Sequence, residues 1–244
     1  MPLQQPEAGP TWDERARLPG FAGVLDASDA TGVKNAVIDA SQKLALRRAL
    51  PELRGLEVLD LGCGNGRISK WLRDLGASVI GVDPSQEMIR VARELVLGID
   101  FRVGDAEALP LPDGRFDVVV SVTVLQYLAP NRERLGAAAG EIRRVLRDGG
   151  QLVAIEHVTD GRLLRGAPLD TYETCFARAG LVEFRSDIVR RGDSIALPCL
   201  LARPRLARSR LAPHVLRLEA LLRRGPSSGA GYNEAVLRGV RGGG

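Results

Sequence analysis

Apolar and polar positions alternate along this chain with two periods, and the switches between them divide it into elements. A helical repeat over 33–50 sets Val37, Ile38, Ser41, Leu44 and Ala45 on one face and stops at Pro51, which cannot donate to a continuing helix. From position 56, short apolar runs take turns with amphipathic stretches. The pattern predicts strands at 56–61, 78–82 and 99–103 and helices at 66–75 and 85–96. The run 116–122 is so apolar that both faces of that strand must be buried. A helix over 132–147, a strand over 150–155, a helix near 170–179 and a strand near 181–189 continue the alternation, and 233–240 reads as one more strand that would close the sheet. Repeated β-α-β units build a mainly parallel sheet with helices on both faces, so the expected class is α/β, Rossmann-like, with seven strands.

The first 30 residues carry Pro, Gly, Asp and Ala without sustained periodicity and read as a loose arm. The expected organisation is an N-terminal arm and helical lid over 1–50 and an α/β domain over 51–244, with a basic helical insertion at about 192–226. Charge singles that insertion out. The net charge is +4, yet residues 190–224 alone hold nine arginines against Asp193 and Glu219. Leu211, Val215, Leu218 and Leu222 fall at helical spacing there, which favours a packed cover helix with solvated arginines over a dock for an anionic substrate or carrier, and over nucleic acid.

With 45% hydrophobic and 26% charged residues the chain suits a globular core, and no run approaches the ~20 apolar residues of a membrane span. Residues 1–10 carry no basic stretch followed by an apolar run, so a cytoplasmic protein is expected. Cys63, Cys175 and Cys199 are odd in number and far apart, which argues for reduced thiols and against a zinc site; no metal is expected.

The strongest local signal is Val58-Leu59-Asp60-Leu61-Gly62-Cys63-Gly64-Asn65-Gly66, a strand that ends in an acid and a glycine turn into a helix. Glycines let the backbone approach a nucleotide-like ligand at the carboxyl end of the first strand. A dinucleotide site prefers G-x-G-x-x-G aimed at a pyrophosphate, whereas here the third glycine comes one residue sooner and Asp60 would repel that anion. A ligand with an ammonium and a sulfonium centre suits the acid better, which disfavours a nicotinamide-dependent oxidoreductase. Asp83, followed by Pro84, closes the second strand, where a carboxylate can take both hydroxyls of an unphosphorylated ribose. Gly104-Asp105-Ala106 follows the third, where it can read an adenine edge.

Together with Phe116-Asp117-Val118-Val119-Val120-Ser121 and Leu146-Arg147-Asp148-Gly149-Gly150, these motifs resemble the successive motifs of class I methyltransferases over roughly residues 50–190. The resemblance implies S-adenosylmethionine as cofactor and S-adenosylhomocysteine as product. It places Gly62, Gly64 and Gly66 along the methionine portion, Asp60 at its amino group, Asp83 at the ribose, Asp105 and Ala106 at adenine, Met88 against the adenine face, and Ser121 and Val122 at the strand end reaching the methionine moiety. Departing from a variant with histidine after the fourth strand, this chain has Gln126 and Tyr127, which either face the acceptor or, for Tyr127, fill the core.

For the acceptor, His157 at the end of the fifth strand is the candidate general base, weighed against a histidine that only satisfies local hydrogen bonds. Asn35, with Lys34 and Asp39, sits where small-molecule methyltransferases carry a lid and is a candidate substrate contact. The reading is a methyltransferase for a small-molecule O, N or C acceptor in natural-product or sugar metabolism. An RNA or carrier-bound substrate is the first alternative, and a non-catalytic S-adenosylmethionine-binding scaffold the second. The sequence is silent on oligomeric state.

Overall fold

The computed structural model describes residues 11–29, 31–159, 166–191 and 233–243. The basic stretch 192–226, with His214 and Cys199, lies outside the described residues, as does the start of the arm.

In chain order the elements are α1 (Trp12–Arg15), α2 (Val33–Ala49), β1 (Glu57–Leu61), α3 (Arg67–Asp74), β2 (Ser78–Asp83), α4 (Gln86–Leu95), β3 (Asp100–Val103), β4 (Phe116–Val122), α5 (Arg132–Val145), β5 (Leu146–Val158), α6 (Leu169–Arg178), β6 (Leu181–Arg191) and β7 (Asn233–Arg241). Among the described residues seven strands form one sheet in the order β3-β2-β1-β4-β5-β7-β6. The pairings β2–β3, β1–β2, β1–β4 and β4–β5 are parallel, whereas β7 runs antiparallel to both β5 and β6. The expected closing strand is thus an inserted one, and β6 takes the edge. From β1 the chain builds outward to β3 and then returns to β4 on the other side, so a crevice opens where β1 and β4 end side by side.

Strand alternation splits the core into two layers. Val118 and Val120 of β4 pack with Leu46 of α2 and Ile68 and Leu72 of α3, while Val119 joins Leu135, Ala138 and Ile142 of α5 and Phe176 of α6 on the opposite face. Both faces of β4 are therefore covered, as its apolar run requires. α4 starts at Ser85, whose hydroxyl accepts the Met88 N–H at 3.0 Å, and α5 starts at Asn131, whose side chain accepts from Glu133 and Arg134.

Two features differ most from expectation. α5 ends at Val145, because Leu146 is extended, pairs with Phe116 and fills the core, so β5 begins there and not at 150. In α2 the buried residues are Val33, Asn35, Val37, Ile38, Asp39, Gln42 and Leu46, so Val37 and Ile38 are buried as expected while Ser41, Leu44 and Ala45 are only half-buried. Three polar side chains lie on the buried face because each has a fixed hydrogen-bond partner there, which an apolar-periodicity argument cannot register.

Candidate functional site

The crevice opens as a cleft at the carboxyl ends of the central strands, lined by residues of the glycine turn, β2, the turn after β4 and the N-terminal arm. Its floor is the glycine turn after β1 and its walls are the ends of β2 and β4. Asp60 is buried and accepts from the Ser69 hydroxyl of α3 at 2.5 Å. Burial pushes its carboxyl up to about 6, and the repulsion of Asp83 adds to that against the pull of Ser69 and Arg67. Asp83 accepts the Gly64 N–H and the Ser85 N–H, each at 2.9 Å, and burial raises it to about 6 as well. Two carboxyls in one crevice, each held by neutral donors, form a site ready for cationic and hydroxyl groups.

The three glycines do different work. Gly62 has φ 71°, and a Cβ there would stand 2.2 Å from a Val124 methyl, so the turn after β4 closes directly on the glycine turn. A Cβ at Gly64 would meet Val24 of the N-terminal arm at 2.7 Å. Gly66 faces away from the cleft, toward Phe101, Val96 and Ala92, and its contribution is close helix-sheet packing.

The arm covers the cleft. α1 is a single turn with a capping box, in which Thr11 accepts the Glu14 N–H and Glu14 accepts the Thr11 N–H. Trp12 meets Tyr127 edge-on at 5.6 Å, with the Arg15 guanidinium 4.7 Å over its ring. Asp13 accepts from Ser85, and Asn65 of the glycine turn donates to the Gly20 carbonyl. Behind the cleft, Arg67 donates to Asp39 at 2.5 Å and to Gln42 at 2.8 Å, and Gln42 donates to the buried Glu234 of β7 at 2.7 Å. This polar line ties α2 to the glycine turn and the sheet.

Of the residues singled out from sequence, Asp60, Gly62, Gly64, Asp83, Pro84, Met88, Val122 and Tyr127 line the cleft. Asp105 and Ala106 lie off its lining, Ala106 in the core and Asp105 accepting the Glu107 N–H. Ser121 is fully buried and donates to Glu156 at 3.0 Å. Gln126 is buried too: its side chain accepts the His157 N–H at 3.2 Å and its carbonyl accepts the Gly166 N–H. The His157 carbonyl accepts from the Tyr172 hydroxyl at 3.2 Å, and His157 does not line the cleft. Asn35 pairs through its side-chain amide with the backbone N–H and carbonyl of Asp26, both at 2.9 Å, and so shapes the arm.

Sequence reasoning missed Trp12, Val24, Arg67, Ile68, Thr123 and Val124 in the lining, and Glu156 beside it. Only Trp12 carried a local signal, the Thr11-x-x-Glu14 capping box. Glu156 is fully buried at the end of β5 and accepts from Ser121 Oγ, Val124 N–H and Gln126 N–H at 3.0, 3.3 and 3.0 Å. Burial pushes its carboxyl up to about 7 against those donors.

A cleft at the carboxyl edge of a doubly wound sheet, with a glycine turn and acids closing successive strands, defines the class I methyltransferase architecture. Residues 59–154 match the family model described as "Methyltransferase domain". The chain is 38% identical over 114 residues to a malonyl-[acyl-carrier protein] O-methyltransferase of Pectobacterium atrosepticum, covering 47% of this chain and 43% of that one. It is 30% identical over 159 residues to a ubiquinone biosynthesis O-methyltransferase of Agrobacterium fabrum, covering 64% and 59%. The match thus spans under two thirds of either relative's length. An S-adenosylmethionine-dependent methyltransferase structure from Mesorhizobium loti superposes with a TM-score of 0.60 at 21% identity, over 84% of this chain and all of that one, which shows the shared fold. Among the described residues no helix is long and apolar enough to cross a membrane.

Proposed function

We propose that the chain is an S-adenosylmethionine-dependent methyltransferase for a small-molecule acceptor. The observation that supports this most is the pair of buried carboxylates, Asp60 and Asp83, facing one cleft over a glycine turn that leaves no room for a Cβ at Gly62. These residues fit the group: Asp60 would hold its ammonium, Asp83 its ribose hydroxyls, and Met88 and Pro84 would flank its base. Bound there, it supplies an activated methyl group on a sulfonium centre. The protein's part is alignment of donor and acceptor, worth roughly 7–11 kcal/mol in well-oriented reactions, and exclusion of water by the arm around Trp12 and Val24. A carrier-bound acyl acceptor is the second reading, favoured by relatives named for malonyl-[acyl-carrier protein] methylation. His157 as general base gains no support from its place off the lining.

The test is calorimetric titration with S-adenosylmethionine, S-adenosylhomocysteine and NAD on the wild type and on Asp83→Ala. Micromolar binding of the two sulfur nucleotides, about −8 kcal/mol, weakened at least tenfold in the variant and absent for NAD, is expected. A folded wild type that binds neither sulfur nucleotide refutes the reading.

A further inference from the structure

Thr123 follows the last residue of β4 and lines the cleft with φ 58°. Among the described residues only Thr123 and Glu183 are non-glycine residues at positive φ. Glu183 lies in a bulge of the exposed strand β6, where the register with β7 shifts between Val182 and Arg185. Thr123 has no bulge to explain it. A β-branched residue resists the left-handed region more than most, so the surrounding structure must hold it there.

The holding groups are identifiable. The Thr123 N–H donates to the Ile155 carbonyl at 2.7 Å, and its hydroxyl to the Val122 carbonyl at 2.7 Å. The residues after it turn back tightly over Leu125–Tyr127, which points the amides of Val124 and Gln126 toward the end of β5. There the Glu156 carboxylate receives both, together with the Ser121 hydroxyl from the preceding strand residue pair. One acceptor group thus clamps the chain on both sides of Thr123. Every polar group drawn to it is a donor, which an ionised carboxylate satisfies fully and a side-chain amide satisfies only in part.

We propose that Glu156 is a positioning residue of the methyl-donor cleft: it gathers the amides after β4 and so fixes Thr123 in its left-handed turn, which aligns the cleft wall of Thr123, Val124 and Tyr127. The inference rests on the donor-site reading above. Its consequence reaches the glycine turn as well, because the same clamp presses Val124 against Gly62.

The test uses the full chain as wild type, Glu156→Gln, Thr123→Gly and the double variant, with two readouts. Hydrogen exchange of the 124–126 amides is followed without ligand, and affinity for S-adenosylhomocysteine is followed by calorimetry. In E156Q the amides are expected to exchange at least tenfold faster and the Kd to rise about tenfold. Against the T123G background, where glycine adopts the turn unaided, the same change is expected to raise Kd less than twofold. A role in general stability alone would not show that rescue. Unchanged exchange and affinity in E156Q, or an equal loss in both backgrounds, overturns the proposal. If the wild type does not bind S-adenosylhomocysteine, the donor-site reading falls, while the exchange data still decide whether Glu156 holds the turn. Should E156Q fail to fold, Glu156→Asp retracts the carboxylate with its charge intact and carries the same expectations.

Discussion

Gly62→Ala puts a carbon into space that the Val124 side chain already fills. The alanine would have to keep φ near 71°, which costs an L-residue roughly 1–2 kcal/mol. Its methyl would also stand 2.2 Å from one Val124 methyl and 3.0 Å from the other, and forcing an extra carbon into a packed site typically costs about 1–3 kcal/mol. The sum, about 2–5 kcal/mol, is a large share of the 5–15 kcal/mol that holds most domains together. Urea unfolding followed by the fluorescence of Trp12 and Trp71 measures it. Val124→Ala separates the two parts, since it removes both methyls that the new Cβ meets and leaves the backbone cost in place. The double variant should therefore recover about 1–3 kcal/mol relative to the sum of the single changes. Simple additivity, or a loss under 0.5 kcal/mol in Gly62→Ala alone, would refute the view that the post-β4 turn is packed onto the glycine turn.

Asp60, raised to about 6 by burial, gives a pH test with a definite sign. Its folded value lies above the unfolded one, so its contribution to stability is present below about pH 4 and is lost as pH rises through 6; wild type should lose stability relative to Asp60→Asn across that window in urea titrations. A bound ammonium favours the ionised form, so affinity for S-adenosylhomocysteine should be about tenfold weaker at pH 5 than at pH 7.5, and a flat profile contradicts the assignment. Trp12→Ala removes the edge-on contact with Tyr127 and should speed S-adenosylhomocysteine release roughly 3–10-fold in stopped-flow traces, in line with about 0.5–1.5 kcal/mol for such pairs. Asp39→Ala leaves the Arg67 guanidinium, 7% exposed, without its carboxylate and should cost about 3 kcal/mol in urea unfolding, partly restored by adding Arg67→Met.

Legibility followed the range of the interactions. β4 is legible to the residue because a segment with five apolar side chains in seven, four of them valine, needs no partner to be recognised. The place of β7 between β5 and β6 was not, since pairing between distant strands leaves no mark on local periodicity. The acids Asp60 and Asp83 were legible because strand ends and a glycine turn fix their position along the backbone. Where a side chain points is another matter: Gln126 and His157 stand at the expected edge, yet Gln126 is spent on the His157 amide and His157 stays off the lining. Gly66 looks like its two companions in the string and differs only through the bulk of Phe101 and Val96 beneath it. Glu156 is one acid among many until its burial and its three donors are seen together.

The β6–β7 pair has an evolutionary implication. Arg191 and Asn233 stand opposite one another in register, so they form the last rung of the β6–β7 ladder among the described residues. That rung sits on the same rim as the ends of β1 and β4, because β6 runs in their direction. A sequence change confined between those two residues would leave the register of the described strands, and the buried carboxyls of Asp60 and Asp83, as they are. The described frame is thereby a socket, in which the strand ends and their acids form one unit whose register is set by the strands themselves.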